Sequence, residues 1–263
     1  MKRMFFTVIL GASLIASTAF AEKFTRTETK IFNLSATGRV EVQNVNGSIK
    51  VESWDKDQVS VEVTKTVRAS DSEEADEYFS DLRVEIKSGD DFLQIKTRYP
   101  HEFGGGFFDW LFHGGSRYEG VEYVLKVPPT VRLEVVSTNG SITVREVTGK
   151  VNAHSTNGRI TLEEVGGVVE GSTTNGGITA RISDKVELRE LRLGTTNGGI
   201  TVYCPEGINA DVYAHTTNGG IHTDFPITMQ GGFSRNSLEG KINNGGNEIH
   251  LHTTNGGISI YKE

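Results

Sequence analysis

The chain has 263 residues, with 34 acidic against 27 basic side chains, a formal charge of −7, 31 Gly, 5 Pro and a single Cys. An acidic chain without a basic stripe excludes nucleic acid as a partner, and the lone Cys204 excludes an internal disulfide, so the fold rests on burial and hydrogen bonds. Abundant Gly, with Thr and Val in alternating runs, predicts an all-β protein.

In chain order, Lys2 and Arg3 precede an apolar run from Met4 to Ala16, and "AFA" at 19–21 supplies a small-x-small cleavage pattern. Residues 1–21 therefore read as a secretory signal, and losing Lys2 and Arg3 takes the charge from −7 to −9. The apolar run is too short to span a bilayer. No later stretch reaches that length, so the mature chain is expected to lack a transmembrane segment and to be periplasmic or at the cell surface.

Residues 22–263 read as one elongated domain, a decorated part over 22–130 followed by regular coils over 131–263. In the decorated part Val40, Val42, Ile49, Val51, Val59, Val61 and Val63 alternate with polar residues around an Asn-Gly corner at Asn46. Ser70 with Glu73 has capping-box spacing, and Ala75, Phe79 and Leu82 recur at helical intervals. One short helix is predicted here, covering an open edge of the sheets. Strands are predicted over 82–87, 92–98 and 121–127. Between the last two lies a Gly-rich stretch, 101–115, carrying Phe103, Phe107, Phe108, Trp110, Leu111 and Phe112. It reads either as an apolar plug or as an exposed tip for a protein, glycan or outer-leaflet partner.

The regular part is written around one hexapeptide. "TTNGGI" begins at Thr173, Thr195, Thr216 and Thr253, with looser copies at Ser137, Ser155 and Asn44. Counted from each Asn, positions −6, −4, −2, +3 and +5 are apolar or small, and most residues between them are polar. Period-two alternation on both sides of a turn means two strands, each with one buried face. Asn46, Asn139, Asn157, Asn175, Asn197, Asn218 and Asn255 are predicted to be structural turns, because Asn and Gly both tolerate positive φ. From Asn139 onward the spacings are 18, 18, 22, 21 and 37, and a degenerate corner at Leu238–Ile242 is expected inside the longest. Hairpins of a meander would share this pattern. The near-identity of the copies favours coils stacked on their own kind. The predicted fold is all-β: a right-handed parallel β-helix or β-roll-like solenoid with repeats of about 18–22 residues and one short helix, whose coil ends could pair into homo-oligomers.

The succession "NGSIKVESWDKDQVSVEV", a helical insertion, "YVLKVPPTVRLEVVSTNGSITV" and serial "TNGGI" coils resembles the bacterial putative-adhesin family, β-helical envelope domains of unknown function. The resemblance covers nearly all of the mature chain, the aromatic stretch excepted. It implies the solenoid fold and an interaction role, and brings no catalytic residues with it.

The search for chemistry is brief. Glu134, Glu163, Glu164 and Glu170 are scattered, and no nucleophile elbow, phosphate loop or HExxH motif is present. No catalytic, cofactor or metal residues are predicted. His154, His215 and His252 share the −3 slot and His250 holds −5, but Ser172 and Gly194 on intermediate coils leave no three-ligand set. The −1 Thr row (Thr138, Thr156, Thr174, Thr196, Thr217, Thr254) reads as strand-forming residues, and Cys204 as a buried bystander. The expected function is a secreted, non-enzymatic envelope scaffold binding an envelope protein or glycan. The competing reading is a polysaccharide lyase or hydrolase that uses the sheet face as a groove.

Overall fold

The computed structural model describes residues 22–100, 118–229 and 234–263. Residues 1–21, expected to be a secretory signal, and the aromatic stretch, with Phe103, Phe107, Phe108, Trp110, Leu111 and Phe112, lie outside the described residues. The decorated part contains β1 (Glu22–Asn33), β2 (Arg39–Asn46), β3 (Ile49–Ser53), β4 (Gln58–Ala69), α1 (Ser72–Asp81), β5 (Arg83–Ser88), β6 (Phe92–Arg98) and β7 (Tyr118–Val127). Coils follow as strand pairs: β8 (Arg132–Asn139) with β9 (Ile142–Arg145), β10 (Lys150–Asn157) with β11 (Ile160–Val165), and β12 (Gly167–Asn175) with β13 (Ile178–Ile182). Then come β14 (Leu188–Asn197) with β15 (Ile200–Cys204), β16 (Ala210–Asn218) with β17 (Ile221–Thr223), β18 (Ile227–Met229), β19 (Ser237–Ile242), and β20 (Asn247–Asn255) with β21 (Ile258–Lys262).

Each coil gives one strand to each of two facing sheets, joined at the Asn-Gly corner. Among the described residues one sheet runs β1-β4-β7-β3-β9-β11-β13-β15-β21-β17 and the other β18-β19-β16-β20-β14-β12-β10-β8-β2-β6-β5. The coils pair in parallel and in register, so Ile142, Ile160, Ile178, Ile200, Ile258 and Ile221 form one continuous row. Inner residues of both sheets close over a dry core that runs from Leu34 to Ile260. This is the solenoid that the hexapeptide predicts, and the meander alternative fails. Its ends are antiparallel: β1, β4 and β7 at one end, β18, β19 and β16 at the other.

The inner rows compensate in size both along a row and across the core. Where the −4 slot shrinks to Gly171, a side chain there would meet Leu193 at 3.0 Å and Leu162 at 3.6 Å. Large residues on the neighbouring coil and the opposite sheet fill what the glycine leaves, and the core stays close-packed.

The helix begins one residue later than the Ser70 box implies. Asp71 is the N-cap, accepting hydrogen bonds from the Glu73 and Glu74 amides at 3.0 and 2.9 Å. Glu74, three positions on, reaches back to the Ser70 amide and hydroxyl, both at 2.7 Å. An aspartate accepts these bonds more strongly than a serine and adds charge at the positive end of the helix dipole. Ala75, Tyr78 and Phe79 are buried, the helix packing on the antiparallel β1–β4 pair, with the Arg26 guanidinium 4.5 Å over the Phe79 ring.

Two further expectations change. The "LEGKI" segment is not a coil corner: it is β19, antiparallel to β16 and lying outside the coil stack. The last coil, β20–β21, instead inserts between β14–β15 and β16–β17. The turns also work differently from the φ argument. None of the seven corner Asn residues has positive φ, and among the corner glycines Gly47 at +115° is the clear case. Proximity is the commoner constraint: a methyl on Gly158 or Gly198 would lie well under 3.0 Å from the glycine carbonyl oxygen of the neighbouring coil.

Candidate functional site

The Asn side chains form a ladder along the corner. Asn139 Nδ2 donates to Asn46 Oδ1, Asn157 to Asn139, Asn175 to Asn157 and Asn197 to Asn175, each at 2.8 Å. Asn255 then donates to Asn197, and Asn218 to Asn255, both at 2.9 Å. Just inside it, the buried −2 hydroxyls of Ser155, Thr173, Thr195, Thr253 and Thr216 donate to the preceding coil's glycine carbonyl at 2.8–3.1 Å. Along the inner coils these side chains hold coil to coil.

The first coil departs from this rule. Asn44 occupies the −2 slot, and its Nδ2 donates to the carbonyls of Gly47 at 3.1 Å and Val121 at 2.7 Å. Its Oδ1 accepts from Thr97 Oγ1, which also bonds Tyr123 Oη at 2.7 Å. With the Gly47 carbonyl taken, Ser137 on the next coil is left as a buried hydroxyl without a partner among the described residues. Burial pushes the Tyr123 phenol up to about 12 and the Cys204 thiol to about 12. Cys204 is fully buried and chemically quiet, because only the thiolate is a nucleophile.

Chemistry accessible to a ligand lies on the outer face of the eleven-stranded sheet. A shallow groove of about 450 Å³ crosses β12, β14, β20, β16 and β19. Its floor opens at Gly194, where a side chain would meet nothing within 4 Å. The −3 row beside it reads Ser172, Gly194, His252, His215, and the −5 row reads Glu170, Arg192, His250, Tyr213. Ser237 and Glu239 of β19, opposite His215 and Tyr213, close one end.

Stacking fixes these side chains. The His215 and His252 rings lie 5.6 Å apart and 12° from parallel, and Tyr213 and His250 lie 4.9 Å apart at 9°. His250 Nε2 contacts Glu248 Oε2 at 3.1 Å, and Arg192 is held by Glu190 and, at 3.6 Å, by Glu248. His154 instead bonds Ser172 at 2.7 Å and lies three strands from His252. The His215–His252 pair exists because β16 and β20 are direct neighbours; the coil corner expected at Leu238–Ile242 would set another coil between them, which conceals the pair. The places of Tyr213, Ser237 and Glu239 in the groove likewise depend on β19 running antiparallel to β16. Tyr213 shows in sequence only as a polar-slot aromatic, and β19 reads as another coil.

Among the described residues no group of three or more His, Cys, Asp or Glu side chains is placed to hold a metal ion. No described helix is long and apolar enough to cross a membrane.

Similar solved structures include a putative cell adhesion protein from Clostridium sporogenes, 12% identical, covering 91% of this chain and 100% of that one at a TM-score of 0.48. A putative adhesin from Bacteroides fragilis is 8% identical, covering 90% and 97% at 0.33. A putative lipid binding protein from Parabacteroides distasonis is 14% identical, covering 90% and 96% at 0.30. At such identities these likenesses carry nothing about activity. No curated protein matches the chain. The family model that matches does so over residues 130–261, just over half of the chain and the whole run of regular coils. The chain belongs to the Toastrack DUF4097 family.

Proposed function

We propose that the protein is a non-enzymatic, adhesin-like scaffold of the bacterial envelope that holds a glycan in the groove centred on Gly194. The supporting observation is the groove's form: wide, shallow and rimmed by stacked rings, with hydroxyl, carboxylate, imidazole and guanidinium groups along its length. Such a surface suits hydroxyl-rich chains, which bind by many planar hydrogen bonds and by ring contacts. The coil stack beneath holds that face rigid. The leader pattern of residues 1–21 supports export to the periplasm or cell surface. The aromatic stretch, with Phe103 to Phe112, would be a second contact point if it is an exposed tip.

The test is retention on immobilised acidic and neutral polysaccharides, followed by sizing of the polymer. Binding without shortening is expected. Binding should be lost in Gly194→Trp, which fills the groove from a position outside the core and leaves the melting temperature unchanged. Polymer shortening would instead favour a polysaccharide lyase or hydrolase, with Glu170 and Glu239 as the carboxylates to mutate first. Deleting residues 103–112 separates tip from plug: retained melting with weakened binding marks a tip, and unfolding marks a plug.

A further inference from the structure

The chain contains eight Asn-Gly junctions, at Asn46, Asn139, Asn157, Asn175, Asn197, Asn218, Asn244 and Asn255. Such a junction is chemically labile. The glycine amide nitrogen can attack the preceding Asn side-chain Cγ, and no glycine side chain hinders it. A bond forms between that nitrogen and Cγ, and the Cγ–Nδ2 bond breaks. Nδ2 leaves as ammonia, carrying away the proton of the glycine amide. Water then opens the cyclic imide to aspartate or isoaspartate. The attack requires a glycine N–H that is free to give up its proton and turn toward the side chain.

In seven of the eight junctions that N–H is occupied. Those of Gly47, Gly140, Gly158, Gly176, Gly198 and Gly256 donate to an Asn carbonyl of the next coil at 3.0–3.1 Å, and Gly245 donates to Ile242 at 3.1 Å. Gly219 belongs to the last coil of the stack, β16–β17, beyond which no coil follows. Its N–H has no hydrogen-bond partner among the described residues, and it is exposed, whereas the six ladder glycines with partners are partly covered. The Asn218 side chain keeps one ladder bond, Nδ2 to Asn255 Oδ1, and its own Oδ1 accepts nothing from a further rung.

We propose that Asn218 is a site of spontaneous deamidation, the terminal rung of the amide ladder, while the inner junctions are protected by stacking. Conversion to aspartate removes the Nδ2 donor and sets a carboxylate against the Asn255 Oδ1 lone pairs. The modification therefore loosens the end coil and leaves the body of the stack unchanged. Sequence cannot produce this selectivity, because "TTNGG" is identical at Asn175, Asn197, Asn218 and Asn255.

The test is ageing of the purified full chain in mildly alkaline buffer, with peptide mapping by mass spectrometry at all eight junctions. Asn218 is expected to convert at least about tenfold faster than the other ladder Asn residues, a ratio matching the net worth of one protecting hydrogen bond or slightly more. A parallel incubation in concentrated urea should bring the four identical junctions to a common rate. Equal rates in the folded protein, or a faster inner junction such as Asn157, would overturn the proposal. Persistence of an Asn218 preference in urea would overturn it too, by tracing the bias to local sequence.

Discussion

Replacing Gly198 by Ala is expected to destabilise the protein by about 3 kcal/mol, the upper end of ordinary overpacking costs. The added methyl would press on the Gly176 carbonyl oxygen, far closer than 3.0 Å. The obstacle is backbone on both sides, so no rotamer change relieves it. The coils must separate, which strains the Gly176 N–H to Asn197 carbonyl bond at 3.0 Å and the Asn197–Asn175 ladder bond at 2.8 Å. Gly194→Ala, four residues earlier, is the matched control. A methyl there meets nothing within 4 Å, so the substitution should be neutral or stabilising by up to about 1 kcal/mol through reduced freedom of the unfolded chain. Urea midpoints at unchanged slope measure both. Equal effects of the two substitutions would mean that the corner glycines are not held by coil-to-coil approach.

Leu162→Ala should cost about 4 kcal/mol, in the upper half of the range for leucine truncation in cores. Leu162 is fully buried, and its Cδ1 lies 3.6 Å from the place a Gly171 side chain would occupy. The wall beside it has no side chain to move in, so the hole stays open, and the cost rises with residual cavity volume. Thermal or urea unfolding checks this. A loss below about 1.5 kcal/mol would place Leu162 outside a sealed interior.

The sequence makes the coil itself legible and the order of the coils illegible. Alternation around each Asn assigns the inner and outer faces of Leu133, Ser155, Ile178 and Val202 correctly, because a strand with one wet face must alternate. Alternation carries no sign for strand direction. Leu238, Gly240 and Ile242 face inward from β19 as a coil's residues would, although the strand runs antiparallel. The insertion of the last coil is hidden for a related reason. All coils present the same Ile, Thr and Asn at the interface, so any coil is a chemically adequate neighbour for any other. What selects this order is closure of the stack by β18 and β19 against β16, a long-range pairing.

The groove was partly legible. Slot counting finds His215, His250 and His252 on one face, but their company with Tyr213, Ser237 and Glu239 follows from coil order and from β19. At the corner glycines close approach of the next coil, more than positive φ, is the constraint. Positive φ is a local property that sequence can suggest, whereas contact with the next coil's carbonyl oxygen appears only once the coils are stacked. Asp71 took the capping role expected of Ser70 because both residues fit the cap in sequence and the backbone starts the helix at Ser72.

The most direct measurement of the coil order is disulfide trapping on the outer face. Gly194 and His252 are register partners on neighbouring strands, whereas Gly194 and His215 are two strands apart. Neighbouring parallel strands lie about 4.8 Å apart, within disulfide reach, and next-nearest strands lie at roughly twice that, outside it. Buried Cys204 does not compete. A Gly194→Cys, His252→Cys chain should oxidise to an internal disulfide without loss of structure, and a Gly194→Cys, His215→Cys chain should remain reduced. Ready closure of the second pair and failure of the first would mean that the coils stack in sequence order, and the inserted last coil would have to be abandoned.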